Sequence, residues 1–581
     1  MKLIEALETL RCPVADAAPE FNVSLACGIS PLHLQTFLAA ELRKRLPENR
    51  VVVRPGFYGD LLGNIQRLNA SAMNSLALVI EWADFDPRLG IRTLAGWRPM
   101  ELPNIVESAT QMAGRLQNAI REIAQFLPVI VCLPTLPLPP MFSTKRAHAG
   151  QCESQLLYLA ASLANDLARV PGVRLLSVQT LADISPFSCR YDIKSELATG
   201  FPYTLSHASA IGDLLSRLIA ESSPKKGLIT DLDDTLWAGV LGEDGVDGIS
   251  WELDRHTQMH GVFQHFLSSL AGAGVLVGVA SKNDPANVER AFERSDLYLT
   301  KNDIYPLEVH WSPKSNSVRR ILETWNVSAD SVVFVDDSSM ELAEVKAVFP
   351  ELECMLFPRG DDQAIWQFLR NLRDLFGKSV VTEDDALRLR SIRDADAWRA
   401  MAQSPAASLD EFLKAAEAVI TFEPVLADAS AREFELINKT NQFNLNGRRL
   451  IQSEWRALFN DPDAFVLSVS YKDKFGPLGK VMVVAGKAKG QSLILDSWVL
   501  SCRAFSRRIE HRCLSYLFET FSANQVTFEF SPTPKNAPVQ ELLTQILGRP
   551  PEPGATLTRE QFETKVPPLF QRVEGKIHAS T

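Results

Sequence analysis

At 581 residues the chain is too long for one ordinary hydrophobic core, and at roughly 100 to 200 residues per domain it is expected to form three. With 46% hydrophobic and 22% charged residues it has the composition of a folded protein, not of a disordered tail or a fibre. Its 60 basic and 70 acidic residues leave a net charge of -10, the wrong sign for a protein working mainly through nucleic-acid phosphates, and no stretch is long and apolar enough to cross a membrane.

The N-terminal run MKLIEALETLRCP carries acidic residues inside its apolar stretch and has no small-residue cleavage site, so it reads as a helix and not as a signal peptide. Beyond it NVSLACGIS, LHLQTFLAAELRKRL, RVVVRPGFYGD, LALVIEWADF and LPVIVCLPTLPLPP alternate strand-like and helical patterns. They predict a parallel sheet flanked by helices over residues 1–222, with strands ending in the small or polar residues where an α/β fold places its ligands. The polar break ESSPKKG opens a second α/β unit, 223–376. The stretch GKSVVTEDD separates it from 377–581, where a charged helical segment, ALRLRSIRDADAWRAM, precedes antiparallel strand signals of an α+β region. Eight cysteines lie far apart with no CxxC pair, which predicts no cysteine metal site and a reduced, cytoplasmic setting.

Four pieces of chemistry occur in order at the ends of predicted strands in the middle unit. Asp231-Leu232-Asp233-Asp234-Thr235 follows the apolar run GLIT, and two carboxylates two residues apart just past a buried strand can share a divalent cation. VLVGVA then delivers Ser281, Lys282 and Asn283, the serine hydroxyl suited to a phosphoryl oxygen. Trp311-Ser312-Pro313-Lys314 brings an ammonium that neutralises phosphate charge, and SVVFV ends in Asp336-Asp337, completing an oxygen-ligand set for Mg²⁺.

This order resembles the haloacid-dehalogenase (HAD) superfamily, whose pattern is DxDx[TV], Ser/Thr, Lys and an acidic pair. The resemblance implies a Rossmann-like domain in which Asp231 is the nucleophile that forms an aspartyl-phosphate and Asp233 the general acid and base. Ser281 and Lys314 would hold the phosphoryl oxygens, with Mg²⁺ on Asp231, the Asp233 carbonyl and Asp337 or Asp336. DLDDTLWAGVLGEDG, ASKND, HWSPKS and VFVDDSSMELAEV, followed by LINKTNQFNLNGRRL, DKFGPLG, DSWVLSCRAFSRRIE and SPTPKN, resemble the FkbH-like family (HAD subfamily IIIC type) over most of 223–540. Asp234, Ala238 and Ser338-Ser339 stand where that family usually has Asn, Gly and Asn-Pro. Membership would imply dephosphorylation of 1,3-bisphosphoglycerate and transfer of the glyceryl group to the phosphopantetheine thiol of an acyl carrier protein in polyketide assembly. A plain Mg²⁺-dependent phosphatase of a small metabolite and a non-catalytic assembly-line scaffold are the competing readings.

The last region resembles a GNAT acyltransferase, with LILDSWVLS as the strand and IEHRCLSYLFETF as the helix that would present a phosphate-binding loop. Both glycines of the usual loop pattern are replaced in Arg503-Ala504-Phe505-Ser506-Arg507-Arg508. Arg503, Arg507 and Arg508 bind either the carrier's phosphopantetheine arm or nothing beyond solvent at a basic helix start. Asn441, Gln442 and Asn444 are either pocket amides or turn-formers, and Cys502 is either a thioester relay or a buried bystander. Residues 1–222 have the rhythm of an SGNH-hydrolase-like domain. Ser30 is the only nucleophile candidate there, and Asp192 and His207 stand at the wrong spacing for its partners, which predicts a non-catalytic, docking role.

Overall fold

Short apolar runs form the strands and the amphipathic stretches between them form crossover helices, so the first two sheets are entirely parallel. The computed structural model describes residues 1–581 except 16, 94–97, 141–144, 146, 222, 379–380, 382–388, 390–391, 394–408, 427–430, 451, 475, 502–503 and 575–581. Most of the charged helical segment expected at 386–401 therefore lies outside the described residues. Two units are formed, Met1–Ser222 with Ile451–Glu454, and Ser223–Leu450 with Trp455–Thr581.

In the first unit β1 (Glu20–Cys27), β2 (Arg50–Pro55), β3 (Ser75–Val79), β4 (Val129–Cys132) and β5 (Val173–Leu175) assemble in the order β2-β1-β3-β4-β5. The two-residue alternation of β3 supplies both faces: Leu76 and Leu78 enter one core with Ile105, Leu116 and Ile120, while Ala77 and Val79 enter another with Phe37, Leu38 and Ile211.

The second unit holds two sheets. The first comprises β6 (Gly227–Thr230), β7 (Leu276–Ser281), β8 (Leu307–Val309), β9 (Val332–Asp336) and β10 (Glu353–Leu356) in the order β10-β9-β6-β7-β8. Its central strand β6 is hydrogen-bonded on both sides, and both faces are buried, with Leu228 in one core and Ile229 in the other. The second sheet is mixed: β11 (Val419–Pro424), β12 (Phe443–Asn444), β13 (Ala464–Asp473), β14 (Gly476–Lys489), β15 (Ser492–Leu500), β16 (Gln525–Phe528), β17 (Ala555–Thr558) and β18 (Arg572–Glu574). Its order is β17-β16-β15-β14-β13-β11-β18, with β12 added on β15. Most pairs are antiparallel; β15 and β16 are parallel, joined through the helix Ile509–Thr520.

One side chain locks the strands that carry the motifs. The Trp325 indole lies flat across β6 and β7, where a Cβ added at Gly227 would come within 2.4 Å of its ring and one at Gly278 within 2.9 Å. Its N–H donates to the Tyr305 carbonyl at 2.6 Å. Glycine is needed here for space and not for backbone conformation. Gly227→Ala is expected to lower the stability of this unit by about 1–3 kcal/mol through overpacking. An unchanged urea midpoint would show that the indole can move aside.

Candidate active site

Strand register brings three of the motifs to one edge. Thr230 lies opposite Val279 on β7 and Val335 on β9, so the next residue, Asp231, emerges beside Asp336 and alongside the end of β7, where Ser281 sits buried. The Asp231 N–H donates to the Val335 carbonyl at 3.0 Å. Lys314 is the first residue of the helix Lys314–Trp325 and reaches across both strand ends. Its Nζ lies 2.6 Å from Asp231 Oδ2 and 2.5 Å from Asp336 Oδ2, and all three groups are nearly or wholly buried.

Burial alone would strip the proton from Lys314, but the two adjacent carboxylates outweigh it and hold the ammonium above its ordinary pKa. Asp336 is pushed up to about 6, first by burial and then by the negative charge of Asp231, since one lysine is shared between two carboxylates.

Asp233 is held apart from this triad. Its Oδ1 accepts from the Trp237 indole at 2.9 Å and the Leu241 N–H at 3.1 Å, and its Oδ2 from the Asn283 amide at 2.9 Å. The loop that aims it turns at Asp234, whose φ of +49° is the left-handed region tolerated by Asp and Asn. Asp234 Oδ1 accepts from the Gly239 N–H at 2.9 Å, closing the turn. Below it, His260 Nδ1 donates to the Thr235 carbonyl at 2.9 Å and the Gln264 amide to the Leu236 carbonyl at 3.0 Å. Burial raises the Asp233 pKa, Asp231 adds to this, and the three hydrogen bonds oppose it. A carboxyl whose pKa is raised suits a general acid.

Asp231, Asp336 and Asp337 each present a carboxylate oxygen within 4.8 Å of the others. Asp231 Oδ1 is buried and accepts no hydrogen bond among the described residues, an arrangement that a cation would relieve. An all-oxygen set of this kind fits Mg²⁺. The Asp233 side chain does not join it, its carboxylate being taken up by Trp237, Leu241 and Asn283. Two residues given no role from the sequence also matter. Asn283 orients Asp233, and its place two residues after Ser281 was the available signal. Arg359, in the turn after β10, pairs with Asp337 and lies 3.5 Å from Asp234 Oδ2, and belongs to none of the four motifs.

The C-terminal candidates are placed differently. Cys502 and Arg503 lie outside the described residues. Arg507 is buried, its guanidinium over the Tyr471 ring and 3.8 Å from Asp473. Arg508 pairs with Asp410 at 2.7 Å and donates to the Pro568 carbonyl. Asn441 accepts from Arg449, while Asn444 caps the turn that follows it, accepting from the N–H groups of Asn446 and Gly447. Each of these four side chains is thus engaged by partners within its own unit. In the first unit both ring nitrogens of buried His207 are engaged, with Thr135 and Ser185 at 2.9 Å, and burial lowers its pKa to about 3. Asp192 caps the helix Ile193–Thr199, and the Ser30 N–H donates to the Gly200 carbonyl.

No family model matches the chain, and no curated protein matches it. Among solved structures, it is similar to the N-terminal part of the protein BF1531 from Bacteroides fragilis, which contains a phosphatase domain and was complexed with Mg. The two are 20% identical with a TM-score of 0.54, over 65% of this chain and all of the other. An uncharacterized protein from Corynebacterium glutamicum aligns at 17% identity over 26% of this chain and 98% of its own, with a TM-score of 0.19, too low to inform the fold. The first likeness shows a shared fold alone, a multidomain α/β architecture with parallel sheets. Among the described residues no helix is long and apolar enough to cross a membrane.

Removing the lysine tests the triad. Lys314→Met leaves Asp336 buried without its counter-ion and is expected to lower stability by about 3–5 kcal/mol at pH 7.5 without divalent ions. The raised pKa of Asp336 means that its contribution to stability is greatest below its ordinary 3.8 and is lost as pH rises through about 6. At pH 5 the carboxyl is mostly neutral and the Lys314→Met deficit should shrink. Equal deficits in urea unfolding at both pH values would contradict this account.

Proposed function

We propose that the chain is a Mg²⁺-dependent phosphoryl-transfer enzyme of the HAD type, acting on a small phosphorylated acid, and that it passes the acyl group to the phosphopantetheine thiol of an acyl carrier protein. The observation that carries the phosphoryl-transfer part is Asp231 itself: one carboxylate oxygen rests on Lys314 and the other is buried with no hydrogen-bond donor among the described residues. The carrier-loading part, with 1,3-bisphosphoglycerate as the phosphorylated acid, rests on the FkbH-like wording of the sequence around these motifs.

In this reading Asp231 attacks phosphorus, forming the aspartyl-phosphate bond as the bond from phosphorus to the leaving oxygen breaks. Asp233 gives its proton to that oxygen and then takes one from the water that hydrolyses the aspartyl-phosphate, releasing phosphate. Lys314 and Ser281 face the phosphoryl oxygens, while Asp231, Asp336 and Asp337 would hold the Mg²⁺, which supplies charge neutralisation when bound. A protonated Asp233 helps an alkoxide leave but adds little for an acyl phosphate, whose leaving group is already a stable carboxylate. Asp231 therefore suits the ester phosphate of a bisphosphorylated acid. The mixed anhydride of the same substrate is the bond that a thiol breaks, with its phosphate as the leaving group.

Two assays on wild type, Asp231→Asn and Asp233→Asn decide this. With Mg²⁺, ester-phosphate release should fall about a thousandfold or more in Asp231→Asn, and about a hundredfold to ten-thousandfold in Asp233→Asn. EDTA should abolish it and Mg²⁺ restore it. Intact-protein mass spectrometry of a phosphopantetheinylated carrier incubated with 1,3-bisphosphoglycerate should show a thiol-labile, glyceryl-sized increase. Asp231-dependent phosphate release with no carrier modification would leave a metabolite phosphatase; release indifferent to Asp231 would remove the enzyme assignment.

A further inference from the structure

We infer that Arg359 is a second oxyanion-binding residue of this site, held on Asp337 and Asp234 until a divalent cation neutralises Asp337, then free to take the phosphoryl oxygens of the substrate. The inference rests on the phosphoryl-transfer reading and adds to it a residue outside the four motifs.

The turn that carries Arg359 is fastened at both ends. Its entry, Phe357, is buried, and the Phe357 N–H donates to the Asp336 carbonyl at 2.9 Å, so the turn is tied to a residue of the carboxylate cluster itself. Its exit passes through Gly360, at φ +66°, to Asp361, whose side chain caps the helix Asp362–Phe376 through the Ala364 N–H. The backbone is thus anchored at the mouth of the site. The Arg359 side chain is 59% exposed and swings from that anchor.

Its present partners are the reason to expect movement. Five carboxylates, Asp231, Asp233, Asp234, Asp336 and Asp337, converge on this edge. Lys314 is committed between Asp231 and Asp336, and Lys282 is paired with Glu341 at 2.7 Å. Arg359 pairs with Asp337, one of the three carboxylates suited to the cation. Asp337 would help hold a divalent cation, whose double charge would weaken the pairing of Asp337 with the guanidinium. Asp234 alone is a poor alternative, since it lies 3.5 Å away and its other oxygen already accepts from Gly239. A guanidinium has five donors and no acceptor, and its planar fork matches a phosphoryl group. The incoming substrate supplies that group at the same mouth.

Two equilibrium measurements test the inference without turnover. The first is the Mn²⁺ affinity of wild type, Arg359→Gln and Arg359→Lys, read from the electron paramagnetic resonance signal of free Mn²⁺. Removing the competing guanidinium should tighten Mn²⁺ binding about fivefold or more in Arg359→Gln, with Arg359→Lys close to wild type. The second is calorimetric titration of inorganic phosphate into the Mn²⁺-loaded proteins. Arg359→Gln should bind phosphate about tenfold more weakly, and Arg359→Lys should recover part of the loss. An unchanged Mn²⁺ affinity or an unchanged phosphate affinity in Arg359→Gln would overturn the inference. A protein showing both shifts yet releasing no phosphate from any ester would sink the phosphatase reading and leave this one standing, and an active phosphatase without the shifts would do the reverse.

Discussion

The ammonium of Lys314 between Asp231 and Asp336 is the interaction on which the candidate site depends. Two carboxylates emerging from adjacent hydrogen-bonded strands repel each other at the point where the β6–β9 ladder ends, and water cannot screen them because both are buried. The lysine comes from the first turn of a helix whose other end supplies Trp325, the side chain that spans Gly227 and Gly278. One helix therefore sets both the charge balance at the strand ends and the packing beneath them. Buried ion clusters seldom add net stability, and this one is better understood as fixing where Asp231 points.

Around that fixed point the loop after β6 separates two carboxylates of similar intrinsic acidity. Asp231 rests on a cation, whereas Asp233 is surrounded by neutral donors, the indole of Trp237, the amide of Asn283 and the backbone of Leu241. Neutral donors satisfy the carboxylate without stabilising its charge as strongly as an ammonium does, so burial keeps the upper hand at Asp233. The different roles of two residues separated by one leucine follow from what the fold places beside each.

The parallel sheet over β6–β10 and the order of its motifs were legible because three of the four motifs directly follow a run of buried residues, and such runs are short-range signals. The strand Ser492–Leu500 and the helix Ile509–Thr520 likewise follow the apolar patterns in LILDSWVLS and IEHRCLSYLFETF. What could not be read locally was partnership. Arg507 stands in a basic run that looks solvent-facing until β13 brings Tyr471 and Asp473 against it. Asn444 reads equally as a pocket amide or a turn-former until the turn it caps is closed. Arg359 carries no motif at all, and only the register of β10 on β9, with Leu356 opposite Asp336, places its turn beside the acidic pair. In each case the deciding neighbour is distant in sequence, and no periodicity encodes it.

The central position of β6 divides the site mechanically. With β7 on one side and β9 on the other, and with an indole across its start, the strand leading into Asp231 moves only when the sheet itself opens, so its amides belong to the most slowly exchanging part of the unit. The rim has the opposite character. Trp311 and Met340 are both exposed, on segments beside Lys314 and Asp337, and the Arg359 side chain extends into solvent from a turn anchored at both ends. Substitutions in that outer layer are therefore expected to leave the buried cluster of Lys314, Asp231 and Asp336 in place.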